Sequence, residues 1–203
     1  MNEDKISEVA KDVLRNHAVL LVDSREQKNH IWEKYKRTHK LGVKFTKLEF
    51  GDYSFMVNPN DTLGNLEPID FRNQFAVERK SGYKSKGGGF AELRSNLIGK
   101  DHNRFKREFQ RAVEAKCDSL HLLIENAENY KAINKVPKYK IENSAFIKTF
   151  DTFIINRNKE RLEAYLSEIN IIYCMQDDSC LNIQLEFFKF FKSKFSARSC
   201  LND

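Results

Sequence analysis

Residues 18–22 read Ala-Val-Leu-Leu-Val without interruption and stop at Asp23-Ser24-Arg25-Glu26. A run this short with no polar member reads as a strand covered on both faces, with its polar residues gathered at the C-terminal edge. Such a strand needs a layer of structure on each side. The rest of the chain supplies candidates. Residues 74–80 read as a strand with Phe75 and Val77 on one side and Ala76, Glu78 and Lys80 on the other. Residues 120–125 and 168–175 read as further strands. Residues 43–50 alternate moderately and 53–57 continue after Gly51-Asp52, which predicts a turn or bulge at Gly51. Residues 58–71 read as a hairpin loop. Helical spacing marks 5–16, 29–40, 90–98 and 102–116, a helix around Phe146, Phe150, Phe153 and Ile154, and a last one bearing Phe187, Phe191 and Phe195. Alternating strands and helices predict an α/β domain with a central mixed sheet flanked by helices.

The 203 residues are 40% hydrophobic and 32% charged, which fits one globular domain and excludes disorder over the whole length. The expected organisation is an N-terminal helix over 1–17, a core domain over 18–175 and a C-terminal helical extension over 176–203. Cys117, Cys174, Cys180 and Cys200 include no C-x-x-C pair and read as reduced thiols. No apolar run approaches the roughly 18 residues of a membrane span, and the acidic start is no signal peptide. The expectation is a cytoplasmic protein with no membrane contact, nucleoid-associated in a bacterial or phage setting.

The net charge of +6 has an address. Residues 78–116 hold eleven basic and five acidic side chains, a surplus of six that equals the charge of the whole chain. A localised basic stripe attracts a polyanion, because neutralising phosphates releases condensed counterions. Within it, Arg104, Arg107, Glu108 and Arg111 share one helix face and Phe105, Phe109 and Ala112 another. A solvated helix face is the competing reading of the same charges.

Glu78-Arg79-Lys80 closes a strand, so Glu78 and Lys80 project together, and Asp52 follows the Gly51 turn. Two carboxylates suit a hard divalent cation such as Mg²⁺, which keeps several waters and bridges to phosphate. A neighbouring Lys orients the attacking water and offsets developing charge. These three residues alone favour the plainer reading, a salt-bridged surface, because E-x-K at a strand end is common.

The wider pattern separates the two. Val22-Asp23-Ser24-Arg25-Glu26, then Gly51-Asp52-Tyr53, then Val77-Glu78-Arg79-Lys80-Ser81 resembles the XPF-like structure-specific nuclease family, in order and spacing. The likeness covers roughly 19–130, including Leu122-Leu123-Ile124-Glu125, and looks closest to compact bacterial and phage members. It implies a restriction-endonuclease-like (PD-(D/E)XK-type) core that cuts branched DNA with Mg²⁺ or Mn²⁺. Carried over residue by residue, Asp52 and Glu78 become metal ligands and Lys80 the water-positioning cation. Asp23 completes the acidic cluster, and Arg79 supports the site or contacts phosphate. Arg25 and Glu26 stand behind them. The family usually has an Asp soon after E-R-K; here residues 81–89 intervene and the nearest acid in a similar context is Glu92. Larger relatives add helix-hairpin-helix motifs, which need glycine, and this chain has none after Gly99. DNA grip is therefore expected from the nuclease domain, through Lys84, Lys86, Arg94, Arg104, Arg107 and Arg111, or from a homodimer partner or another protein.

In residues 81–90 no Lys-Ser or Lys-Thr follows Gly87 or Gly88, as a phosphate-binding P-loop requires, so no nucleotide cofactor is expected. His17, His30, His39, His102 and His121 form no metal-ligand pair. The Phe stripes read as core, with a homodimer surface as the competing reading, and Trp32 and Tyr35 as core or as base-stacking rings. The functional expectation is a metal-dependent endonuclease on branched or duplex DNA, in repair, recombination or phage or plasmid replication. Its rivals are a non-catalytic DNA-binding partner subunit with the same fold and a single-strand or RNA-binding module.

Overall fold

The computed structural model describes residues 3–26, 30–39, 41–81, 91–127 and 169–199. The glycine-rich segment with Lys84 and Lys86 and the helix expected around Phe146, Phe150, Phe153 and Ile154 lie outside the described residues. In chain order the elements are α1 (Glu3–Asn16), β1 (Ala18–Asp23), α2 (His30–Thr38), β2 (Val43–Thr46), β3 (Tyr53–Val57), β4 (Ile69–Asp70) and β5 (Phe75–Lys80). There follow α3 (Ala91–Ile98), α4 (His102–Glu114), β6 (Ser119–Glu125), β7 (Ile169–Cys174), a 3-10 turn (Gln176–Asp178) and α5 (Ser179–Ser199).

The sheet runs β2-β1-β3-β5-β6-β7, with the two-residue β4 beside β3. β1 is parallel to β2, β3 is antiparallel to both β1 and β5, and β5, β6 and β7 are parallel. It follows that the C-terminal ends of β1, β5, β6 and β7 and the start of β3 share one edge of the sheet. β1, β5 and β6, which end on Asp23, Lys80 and Glu125, all end there, whereas the short β4 ends on Asp70 beside Met56, toward the opposite edge.

Strand alternation sorts side chains into two cores. On one face Leu20, Val22, Phe55, Phe75, Val77 and Leu123 meet α1, α2 and α5. On the other, Ala76, Leu120, Leu122 and Ile124 meet Leu93 and Leu97 of α3 and Phe105, Phe109 and Ala112 of α4. Both faces of β1 are covered, which is why all six of its residues are buried. Phe187 stacks on Phe55 at 4.1 Å between ring centroids and meets Phe71 and Phe75 edge-on. The segment expected as a C-terminal extension therefore carries α5, which supplies core residues to the sheet, and α1 packs its Ala10 and Val13 into the same cluster. The stripe of Phe187 and Phe191 is interior. Tyr35 is buried as well, its hydroxyl donating to the Ala18 carbonyl at 3.0 Å, while Trp32 is partly buried against the same core.

Two local expectations change. The strand expected over 43–50 stops at Thr46, because the alternation loses phase there: Val43 and Phe45 are odd-numbered, whereas the buried Leu48 and Phe50 are even. The 58–71 loop contains β4, which pairs Met56 with Asp70 and Val57 with Ile69.

Candidate active site

Topology brings the charged strand ends together. Glu78 and Lys80 project toward α3 and α4, with Glu78 3% and Lys80 5% exposed. Lys80 Nζ lies 2.6 Å from Glu78 Oε1 and 3.1 Å from Glu92 Oε1 on α3, and 5.4 Å from the Phe105 ring centroid. Glu92, the acid nearest in context to the family's usual Asp, thus meets the ammonium from α3. Burial would lower the Lys80 pKa, but Glu78, Asp52 and Glu92 outweigh it and hold the group charged well beyond the physiological range.

Asp52 arrives by a different route. Gly51 has φ +71, a conformation glycine adopts freely, and a Cβ there would lie 3.1 Å from Ala76 Cβ and 3.2 Å from the Val77 oxygen. The turn lets Asp52 N donate to the Val77 carbonyl at 2.8 Å, and Asp52 Oδ2 accepts from Arg79 N at 2.7 Å. Burial first, then the Glu78 charge, pushes the Asp52 carboxyl well above the usual range. Burial likewise lifts Glu78 to about 7, against the lowering effect of Lys80, with Glu108 and Glu92 adding to the rise. Two carboxyl groups raised by burial beside each other form the acid pair a divalent cation would stabilise.

The donor set can be tested for that cation. Glu78 Oε2 is buried with no hydrogen-bond partner, which costs free energy unless something electropositive meets it. Among the described residues no group of three or more His, Cys, Asp or Glu gathers at metal-binding distances. A two-carboxylate set suits Mg²⁺ or Mn²⁺, which completes its shell with water and phosphate oxygens, and does not suit Zn²⁺. The residues fit the hard cation.

Asp23 is placed at the same edge but is committed elsewhere. Arg25 grips it with Nε at 2.7 Å and Nη2 at 2.9 Å, and the Arg25 and Leu48 main-chain N–H groups each donate at 2.8 Å. Burial would raise its pKa; these bonds overcome that and hold it below the usual range. Arg25 Nη2 also donates to the Leu48 carbonyl at 3.0 Å, so the Asp23–Arg25 pair clips the loop that leads to Gly51. Arg111 on α4 clips the next residue, donating from Nε to the Glu49 carbonyl at 2.8 Å. Arg104 and Arg107 on α4 and Arg94 on α3 are exposed.

Arg79, between Glu78 and Lys80, faces the opposite side of the sheet. Its guanidinium pairs with Glu26 Oε1 and Glu125 Oε2, each at 2.9 Å. Glu125 was not anticipated as a site residue, nor were Ser179 and His30, which contact its other oxygen at 2.7 and 3.1 Å. A signal did exist: a buried parallel strand that ends on a carboxylate at the same edge as Lys80.

The ERCC4 domain matches residues 22–187. Among solved structures, XPF from Aeropyrum pernix superposes with a TM-score of 0.51 at 14% identity, over 89% of this chain and 69% of that one. XPF from Aeropyrum pernix in complex with DNA gives 0.46 at 13%, over 83% of this chain and 62% of that one. No curated protein matches. The likeness to the first structure bears on the fold, which is the restriction-endonuclease-like one. The family match spans every strand end described above except the first four residues of β1, and on that ground the chain belongs to the ERCC4 domain family, whose members are typically XPF-like nucleases.

Proposed function

We propose that this chain is a divalent-metal-dependent endonuclease that hydrolyses phosphodiester bonds in branched DNA. The observation that supports it best is the unpartnered, buried Glu78 Oε2 at a strand end shared with Asp52 and Lys80. Asp52 and Glu78 would hold the cation, which supplies Lewis-acid polarisation of the phosphate and a more acidic water when bound. Lys80, whose charged form Glu78, Asp52 and Glu92 favour, serves as an electrostatic stabiliser and water-orienting donor. Glu92 shares that ammonium and limits where it points. The exposed Arg94, Arg104 and Arg107 lie on the α3–α4 side, the side that Glu78 and Lys80 face, and are the phosphate-gripping candidates.

The test is cleavage of labelled forks, flaps, four-way junctions and linear duplex in Mg²⁺ or Mn²⁺. Wild type should cut branched substrates, and Glu78→Ala or Asp52→Ala should bind them without cutting. Binding without cleavage by pure wild type would instead support the non-catalytic partner reading.

A further inference from the structure

We infer that Glu125 is a positioning residue for the metal-binding carboxylates, acting through Arg79 from the far face of the sheet. The inference rests on the metal-dependent reading above. Its chain of contacts is short. The Arg79 main-chain N–H donates to Asp52 Oδ2 at 2.7 Å, so the placement of residue 79 sets the placement of the Asp52 carboxylate. The Arg79 side chain is clamped on two sides. Nη2 and Nε meet Glu26 Oε1 at 2.9 and 3.2 Å, and Nη1 meets Glu125 Oε2 at 2.9 Å.

Glu125 is the fixed end of this clamp. It is fully buried, and its second oxygen accepts from Ser179 Oγ at 2.7 Å, the first residue of α5. That oxygen also lies 3.1 Å from His30 Nε2. His30 Nδ1 is in turn 3.1 Å from Gln176 Nε2. The ends of β5 and β6, the turn after β1 and the starts of α2 and α5 all converge on one guanidinium. Glu26, on the other side of the clamp, belongs to the turn after β1 and also accepts from the Tyr53 hydroxyl at 3.4 Å. A guanidinium already balanced by two carboxylates would have to break a pair to take a DNA phosphate. Its use here is to hold the backbone that holds Asp52.

Outer partners of metal-binding groups typically change affinity or activity by about 10–100-fold when removed. The test uses Glu125→Gln, which keeps an acceptor for Ser179 and leaves Arg79 paired with Glu26. Mn²⁺ uptake is titrated by calorimetry on the full chain without DNA, and cleavage of a branched substrate is followed separately. The expected result is Mn²⁺ affinity weakened about tenfold and a lower kcat with KM for DNA unchanged. In an Arg79→Met background, Glu125→Gln should add nothing further. Should Glu125→Gln not fold, Glu26→Gln opens the other side of the same clamp and is read in the same way. Equal Mn²⁺ affinity in wild type and variant, or losses that add in the double variant, overturns the positioning role alone. A wild type that takes up no Mn²⁺ overturns the metal-dependent reading and this role with it.

Discussion

Lys80 and Glu78 stand two residues apart on one face of β5 with their charged ends 2.6 Å from each other and about 5% of each side chain exposed. Their mutual attraction is strong, but neither would be stable there alone, and the two are not equally replaceable.

Removing the cation should be worse than removing the acid. Lys80→Met leaves Glu78 buried beside Asp52 with no opposing charge, and breaking a buried pair on one side typically costs about 3–5 kcal/mol. Glu78→Gln leaves Lys80 paired with Glu92 and relieves the repulsion that raises Asp52. Urea unfolding of the metal-free proteins at pH 8 should therefore rank Glu78→Gln above Lys80→Met, while both lose cleavage. The reverse order would mean that the pair does not carry the stability assigned to it.

The raised Glu78 carboxyl also sets a pH dependence. Its folded-state pKa is about 7 against an ordinary 4.5, so between those values the native protein keeps a proton that the unfolded chain releases. That contribution is fully present below pH 4.5 and is lost as pH rises through 7. A divalent cation competes for the same carboxylate, so a fixed concentration of Mn²⁺ should raise Tm more at pH 8 than at pH 6. Calorimetric titrations at pH 7 in two buffers of different protonation enthalpy should show proton release on binding. Glu78→Gln should remove most of both effects.

Much of this arrangement was legible in the sequence because it rests on period-two alternation and strand ends. That Glu78 and Lys80 share a face and Arg79 takes the other follows from their spacing alone, and the Gly51 turn is marked by its own residue. The role of Asp23 was not legible in the same way. A V-D-x-R-E end implies another acid for the cluster, but its carboxylate is saturated by Arg25 two residues on and by Leu48 N, 25 positions away. Glu125, Ser179 and His30 escaped for a similar reason. They meet across 54 and 95 residues of chain, and only the parallel β5–β6–β7 order and the docking of α5 bring them to one place. The end of β2 escaped because a slip of one residue in the alternation was read as continuation.

Gly51→Ala probes the turn that delivers Asp52. The substitution forces a β-carbon into a positive-φ conformation and to within 3.2 Å of the Val77 carbonyl that accepts from Asp52 N. Strain of that kind costs about 1–3 kcal/mol. The chain relieves it by shifting the turn, so Mn²⁺ affinity should fall together with Tm. A variant with lower Tm and wild-type Mn²⁺ affinity would separate the turn from the site.

The three arginines of α4 read as one face in the sequence should divide into two classes in solution. Arg104 and Arg107 are exposed, on the side of the sheet that Glu78 and Lys80 face, whereas Arg111 also donates to the Glu49 carbonyl in the loop before Gly51. A phosphate contact contributes counterion release, about 0.9 in the slope of log K against log salt on duplex DNA, and contributes it regardless of sequence. Arg104→Ala and Arg107→Ala should each flatten that slope by about this amount and leave folding stability within about 0.5 kcal/mol. Arg111→Ala removes a loop anchor worth about 1 kcal/mol, so it should lower Tm and reduce kcat by loosening the approach to Asp52, with a smaller change in slope. Fluorescence-anisotropy titrations across a salt series, paired with thermal unfolding of the same three variants, give both readouts. Equal slopes and equal Tm for all three would return Arg111 to the phosphate-contacting face and leave the Leu48–Glu49 loop held by Arg25 and Asp23 alone.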